Sequence, residues 1–239
     1  MSNSNVNLEI KEKMINLIER NRISSVEVAD ALGKTGVLEG PKILTPGKFV
    51  VGTVQYIFGY SETNWPIHEQ GEKVEEGGIL YVDTFECNDK AAFGDLVSKY
   101  FILYKRMKGV VVNGLLRDIH TLRKENYAMW STGTTPLGCH NINVELPKHI
   151  ELEAAKRKAY FDGSIMVCDD SGCTLISKEH INETTLKKLE FMELQEDIWF
   201  YCIDTLKWST YETVCLKKYL NNKDHLPAVL VEKLKEFSL

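Results

Sequence analysis

Apolar residues along the chain change period several times, and the changes mark out its elements. Asn5 to Arg20 carries Leu8, Ile10, Met14, Leu17 and Ile18 at roughly helical spacing. Ser24-Ser25 can cap a second helix running over Val26, Val28, Ala29 and Leu32 before Gly33. After the Gly- and Pro-bearing stretch GKTGVLEGPKILTPG, the run KFVVGTVQYIF is β-branched and aromatic, which predicts a strand bent or bulged at Gly52. Gly77-Gly78 introduces the short apolar run ILYVD; Ala91 to Met107 returns to helical periodicity, and a second apolar run, VVVN, follows Gly109. This order reads as β-α-β. Crossovers between parallel strands are nearly always right-handed, and open α/β sheets hold ligands at the carboxyl ends of their strands. Those ends are Asp83 and the segment from Asn113 to Asp118.

A third unit repeats the logic. Asp118 to Lys124 is helix-like, Tyr127 to Trp130 reads as a strand, and TGTTPLG is turn chemistry. The charged stretch ELEAAKRKAYFDG beyond Pro147 takes no assignment from its pattern, whereas SIMVCDDSGCTLIS reads as a β-hairpin around Asp169-Asp170-Ser171-Gly172. From Lys178 the pattern is helical to about Leu206, Ser209 to Glu212 has capping-box spacing, and Pro227 opens a last short helix. No internal repeat or linker separates two domains. The expected organisation is one α/β domain over residues 1–190, including the two N-terminal helices, and a C-terminal helical arm over 191–239.

Composition narrows the function classes. The 239 residues are 44% hydrophobic and 26% charged, enough apolar material for a real core and too much for a disordered chain. Twenty-nine Lys and Arg against thirty-four Asp and Glu leave a net charge of −5, so no global positive field favours nucleic acid. The N-terminal MSNSNVNLEIKEK lacks an apolar segment, and no run approaches the roughly 18 apolar residues a membrane helix needs, so a soluble, cytoplasmic protein is expected. The six cysteines form no C-x-x-C pair and suggest neither a zinc site nor a disulfide framework; reduced core thiols are expected.

Candidate chemistry concentrates between Ala91 and Gly138. Gly94 at a helix start lets the amides of Gly94, Asp95 and Leu96 approach an anion such as a carboxylate. Arg117 supplies a two-pronged donor suited to a carboxylate, and Asp118 beside it supplies hard oxygen suited to Mg²⁺ or Mn²⁺. Together they can hold a chelating 2-oxo acid. Neighbours on a regular strand point to opposite faces, so this requires that Gly114 has ended the strand and that Arg117-Asp118 lies in the turn. The plainer reading of such a dipeptide is a helix cap or a surface ion pair. His68-Glu69 reads first as a helix-surface pair, Asp169-Asp170 as a turn, and the cluster Trp199, Phe200, Tyr201 and Trp208 as packing of the arm on its own body or a partner.

Several strings in this order resemble the RraA-like family: VADALGKTGVLEG, GTV, Ile67-His68-Glu69, GGILYVD, FGDL, VVVNGLLRD, STGTTPLG and MVCDDSGCTLISKE. That family includes 4-hydroxy-4-methyl-2-oxoglutarate/4-carboxy-4-hydroxy-2-oxoadipate aldolases and the protein regulators of ribonuclease E. The resemblance runs from about Ser24 to Leu206 and implies an α/β fold of the swivelling β/β/α type, assembled as a homotrimer or homohexamer with sites between subunits. It implies a carboxylate-binding loop at Gly94, Asp95 and Leu96, a substrate-orienting Arg117, and Asp118 as anchor of Mg²⁺ or Mn²⁺, with a glutamate of a neighbouring subunit, Glu193 or Glu196, completing the metal shell. The activity implied is a metal-dependent carbon–carbon lyase, an aldolase or decarboxylase acting on a small 2-oxo acid through a pyruvate enolate, with no nucleic acid or membrane as partner. Two alternatives stand beside it: a non-catalytic regulator that binds a protein such as a ribonuclease, and a dehydratase or isomerase of a sugar-derived acid. The regulator branch lacks an intact Arg-Asp pair, which favours an enzyme. Two departures bear on the pocket: Asn113-Gly114 stands where many members have Asp-Gly, and ELEAAKRKAYFDGSI replaces the usual Gly-Gly-Val strand and Pro-Gly-Asp.

Overall fold

The runs ILYVD and VVVN form neighbouring parallel strands, β3 (Ile79–Phe85) and β5 (Gly109–Leu116), in register from Ile79 opposite Gly109 to Asp83 opposite Asn113. Both faces are covered. Leu80, Val82, Val110 and Val112 join one core with Ile67, Phe93 and Phe101, while Ile79, Tyr81 and Val111 join another with Val54, Trp130 and Phe161. Burial on two sides is why these strands read as unbroken apolar runs and not as alternation.

The computed structural model describes residues 3–237, and the chain divides into two units, the first ending at Asn182 and the second beginning at Glu183. In the first, the sheet runs β1 (Lys42–Ile43), β6 (Met129–Thr134), β5, β3, β2 (Val50–Tyr60), β7 (Ile165–Asp169) and β8 (Gly172–Ile176), with a short β4 (Ala91–Phe93) paired to the end of β5. β2, β3, β5 and β6 are parallel; β7 and β8 form the expected antiparallel hairpin. Just before β1, Leu38 donates to Cys173 O of β8 and Leu175 donates to Gly36 O, so the two ends of the sheet nearly meet and the sheet almost closes as a barrel. β2 is longer than its neighbours because it serves two partners. Val50 to Thr53 pairs with β7, and Val54 to Tyr60 with β3. The change of partner falls between Thr53 and Val54, next to Gly52, where an added Cβ would come within 3.0 Å of Gly78 Cα. Past Thr53 the β7-facing edge of β2 is closed by side chains: Asp162 accepts from the Tyr56 amide and Gln70 both accepts from and donates to Phe58. Blocking an edge this way removes a template for pairing with another chain.

The opening helices are α1 (Asn3–Asn21) and α2 (Ser25–Ala31), the second begun by a reciprocal capping box between Ser24 and Glu27. Asp169 adds to this start: Oδ2 accepts from the Ser25 amide at 2.7 Å, and Oδ1 accepts from Ser25 Oγ at 2.7 Å and the Ser171 amide at 2.8 Å. Asp169 thus ties the β7–β8 turn to a helix N-terminus. Asp169→Ala is expected to cost about 1–2 kcal/mol, as loss of a strong N-terminal acceptor does, with thermal denaturation as the check.

α3 (Trp65–Gly71), α4 (Asp95–Lys99), a π-helical turn (Tyr100–Tyr104) and α5 (Ile119–Lys124) lie on the crossovers. The stretch after Pro147 is a helix, α6 (Lys148–Phe161), which buries only Ile150, Ala154 and Phe161. So thin an apolar stripe explains why its pattern gave no assignment. The second unit holds α7 (Glu183–Asp204), which runs unbroken through residue 190, and α8 (Ala228–Glu236). Between them Ser209 and Glu212 make the expected capping box ahead of a π-helical turn, Tyr211–Cys215. Leu194, Ile198, Cys202, Tyr219, Leu230 and Leu234 form that unit's core. All six cysteines are free; Cys215 is exposed and Cys139 half-buried, against the expectation of core thiols throughout, and the other four are buried. Among the described residues no helix is long and apolar enough to cross a membrane.

Candidate functional site

Two turns meet where β4 and β5 end side by side. β5 does not end at Gly114, the condition set above for Arg117 and Asp118 to converge, but continues to Leu116, with its ladder to β6 shifting register between Val112 and Leu115. Only glycine fits at position 114 in this strand, because Thr84 of β3 occupies the space of a side chain there and a Cβ would clash with its Oγ1. The Arg117 amide then donates to Phe93 O at 3.1 Å, and Asp118 takes the left-handed conformation, φ 60° and ψ 30°. That conformation costs a non-glycine residue about 1 kcal/mol. It turns two successive side chains toward one place, which a regular strand cannot do: Arg117 Nε lies 3.4 Å from Asp118 Oδ2.

The place they reach is the start of α4. Asp118 Oδ2 accepts from the Asp95 amide at 3.1 Å, and the Leu96 amide donates to Asp95 Oδ1 at 2.7 Å. The first-turn donors of α4 therefore already bind carboxylate oxygens, as the positive end of a helix does. Gly94 has an extended backbone, so its role is space and not conformation. A Cβ at Gly94 would fall 2.5 Å from Asp118 Oδ2 and 3.0 Å from Arg117 Nε. Across the guanidinium, a Cβ at Gly138 would fall 2.2 Å from Arg117 Nη1. Arg117 is thus held between two side-chain-free stretches of backbone.

Gly94, Asp95, Leu96 and Arg117 line a cavity of about 80 Å³ together with Asn64, His68 and Asn141, and Asp118 stands one hydrogen bond away, on the Asp95 amide. Two larger clefts also reach His68, one of about 540 Å³ with Leu96, Tyr100 and Tyr104, the other of about 470 Å³ with Trp65 and Asn141. Glu193 and Glu196 lie on α7 of the second unit, both half-buried. Among the described residues, no three of His, Cys, Asp and Glu gather as a metal cluster. Sequence reasoning missed Gly138, Asn64 and Asn141 as neighbours of Arg117. The glycine of TTPLG was visible, but nothing local pointed it at a side chain 21 residues earlier. His68 is exposed on α3, as a helix-surface residue should be, and it also lines all three openings.

Asp83, expected at the carboxyl end of its strand, lies two residues inside β3, which runs on to Phe85 beside β2; it is 1% exposed and is paired internally. Arg157 of α6 grips it with both prongs, Nε to Oδ2 and Nη2 to Oδ1, each at 2.7 Å, and Nη2 also donates to Tyr81 Oη at 2.8 Å. Asn113 Nδ2 donates to Asp83 Oδ1 at 2.8 Å. An amide at position 113 fits this geometry where a second carboxylate would repel the first. The Asp83 carboxylate pushes the Arg157 pKa up, and burial with Asp83 pushes the Tyr81 hydroxyl up. Phe161 stacks on Tyr81 with ring centroids 4.0 Å apart, and the guanidinium carbon lies 4.7 Å above the Phe161 ring. The helix after Pro147 thus brings a cation to a buried carboxylate of β3.

A family model described as RraA-like, Aldolase/RraA, matches residues 25–175. Among curated proteins, Protein DlpA of Legionella pneumophila is 26% identical over 206 residues, which are 80% of this chain and 32% of the relative. The chain therefore spans about a third of the length of that curated relative. Among solved structures, an uncharacterized protein from Pseudomonas syringae pv. tomato is 23% identical with a TM-score of 0.65, covering 86% of this chain and 94% of that one. Streptomyces coelicolor RraAS2, described as an unusual member of the RNase ES inhibitor RraA protein family, is 21% identical with a TM-score of 0.59, covering 77% and 95%. These likenesses give the fold: a mixed α/β domain with a nearly closed sheet and helices after it.

Proposed function

The chain belongs to the RraA-like family, and from that premise we propose that it is a divalent-metal-dependent lyase that cleaves or decarboxylates a small 2-oxo acid. The family holds both aldolases or decarboxylases and ribonuclease regulators, so membership alone does not choose between them. One observation carries the choice: Arg117, Asp118 and the amide end of α4 converge at Gly94, with carboxylate oxygens already on the amides. A purely structural cap would not need glycine on both sides of a guanidinium.

The donor set suits the metal. Asp118 offers a hard oxygen on a side chain about one-third exposed, and Mg²⁺ commonly keeps several waters while using one or two carboxylates. Glu196 of a second copy, in a homotrimer or homohexamer, is our proposed additional donor. Bound there, Mg²⁺ or Mn²⁺ would supply positive charge opposite the substrate's 2-oxo oxygen. The chain's own residues do the rest. The Asp95 and Leu96 amides exchange their present carboxylate partners for that of the substrate, and Arg117 directs its guanidinium at the oxygen on which negative charge grows as the carbon–carbon bond breaks. Fixed donors of this kind are worth several kcal/mol where water is excluded.

The purified protein with Mn²⁺ is expected to decarboxylate oxaloacetate or cleave a 4-hydroxy-2-oxo acid, and EDTA to abolish the reaction. Arg117→Lys keeps the charge but loses the planar fork, and should lower kcat/KM by roughly 10²-fold. Absence of any EDTA-sensitive turnover across a panel of 2-oxo acids would sink this reading.

A further inference from the structure

The cavity beside Arg117 holds only the head of a ligand. Its volume of about 80 Å³ is well below the roughly 300–1,000 Å³ of ordinary small-molecule sites. A molecule whose carboxylate meets the Asp95 and Leu96 amides must therefore run on into one of the two clefts that share His68 with this cavity. The two clefts differ in chemistry. The one of about 470 Å³ is bordered by Glu69 and Glu72 with no lysine or arginine, so a second carboxylate on the ligand would meet like charge there. The one of about 540 Å³ runs between α3 and the helical stretch that α4 begins. His68 and Glu72 stand on one bank; Leu96, Tyr100 and Tyr104, spaced by four through α4 and its π-helical continuation, stand on the other. The banks are fixed by Phe101, which is buried, stacks on Phe93 of β4 with ring centroids 5.7 Å apart, and lies so close to α3 that a Cβ at Gly71 would fall 2.8 Å from its Cζ. The cleft's one lysine, Lys99, is matched by Glu72, and most of its other lining is apolar or aromatic. Leu96 is 76% exposed and Tyr104 67%, so a stripe of large apolar side chains is open at the mouth of the site, the usual mark of a binding surface.

We propose that the larger cleft seats an uncharged aromatic group on the third or fourth carbon of the substrate, so that the substrate class is an aryl-bearing 2-oxo monocarboxylic acid and not a dicarboxylic one. This rests on the 2-oxo acid reading of the Arg117 site. Leu96 joins the two parts, because its backbone amide belongs to the carboxylate end and the residue also lines the cleft. Tyr100 and Tyr104, with ring centroids 6.4 Å apart and planes within 26° of parallel, offer aromatic surface on which a ligand ring can stack or meet edge to face.

Tyr104 is then a specificity-determining residue. It lies two turns beyond Leu96 on the same stripe, remote from Arg117 and Asp118 in sequence, and its exposure means that truncating it leaves the buried core intact. His68, common to cavity and cleft, marks where the carbon chain passes from one to the other.

Calorimetric titration of the full chain with Mg²⁺ present compares phenylpyruvate with 2-oxoglutarate, which has the same 2-oxo acid head and a second carboxylate in place of the ring. Phenylpyruvate is expected to bind tighter by roughly tenfold or more, the scale of an apolar group in a fitting pocket. Tyr104→Ala should narrow that ratio, and Tyr104→Phe should keep it. Turnover, read as pyruvate release, compares 4-hydroxy-2-oxo-4-phenylbutanoate with 4-hydroxy-2-oxoglutarate, and the phenyl compound should react faster: its C3–C4 bond breaks, the C4 hydroxyl oxygen becomes the carbonyl of benzaldehyde as its proton leaves, and C3 gains a proton to become the methyl group of pyruvate. Equal or tighter binding of 2-oxoglutarate, binding of neither acid, or a ratio unmoved by Tyr104→Ala would overturn the proposal. A phenylpyruvate preference without turnover of any acid would strike the lyase reading and uphold this one, whereas turnover confined to dicarboxylic acids would do the reverse.

Discussion

Arg157→Ala is expected to destabilise the first unit by about 3–5 kcal/mol, the usual cost of removing one partner from a buried ion pair. The reason is what stays behind. Asp83 is 1% exposed, and without the guanidinium its two oxygens lose their cation and three charge-assisted contacts in that corner are reduced to the Asn113 amide and neutral hydroxyls, while Tyr81 Oη loses its donor. Packing is lost as well, because the guanidinium lies over the Phe161 ring that stacks on Tyr81. Urea denaturation should show a lower midpoint with little change in slope. Adding Asp83→Asn to Arg157→Ala should recover a large share of the loss, since the stranded charge is then gone; a double-mutant cycle separates that share from the lost packing. Arg157→Lys should fall between wild type and Arg157→Ala, keeping a cation but not the fork. A cost below about 1 kcal/mol for Arg157→Ala would mean that water reaches Asp83 freely, and the pair would then rank with ordinary surface bridges.

That pair also marks where the sequence stops being readable. The apolar runs at 79–83 and 109–113 announced their strands because both faces are buried, and Ser24 and Ser209 announced helix starts because capping is a local, three-residue affair. α6 carried no comparable signal. Its helix buries three residues, and its most consequential side chain acts on a carboxylate 74 residues earlier. The candidate site was legible in its parts and not in its geometry. Gly94 at a helix start and the Arg117-Asp118 pair were visible as residue types. What unites them is the positive φ of Asp118 and the threading of Arg117 between Gly94 and Gly138, and neither is encoded within a few residues. The condition placed on Gly114 fails for a related reason: its lack of a side chain serves Thr84 in the neighbouring strand, and convergence comes two residues beyond the strand's end instead.

Gly94→Ala should separate the site from the fold, because glycine is needed there by the site alone. Its backbone, φ −143° and ψ −166°, is ordinary extended chain that alanine adopts without strain, and alanine also restricts the unfolded state. The new methyl would meet Asp118 Oδ2 at 2.5 Å, Arg117 Nε at 3.0 Å and Arg117 Cγ at 3.1 Å. All three are side-chain atoms, and the Asp118 carboxylate is the free end of a partly exposed side chain that can swing away. The folded state then loses one hydrogen bond to the Asp95 amide, about 1 kcal/mol. Activity should suffer far more, since a shift of about 1 Å in positioning groups costs on the order of 10²-fold. On the lyase reading, kcat/KM for the 2-oxo acid should therefore fall by roughly 10²-fold while the unfolding midpoint barely moves. The opposite pattern, a large loss of stability with turnover intact, would make Gly94 a packing residue and leave Arg117 and Asp118 as a surface ion pair beside a helix cap.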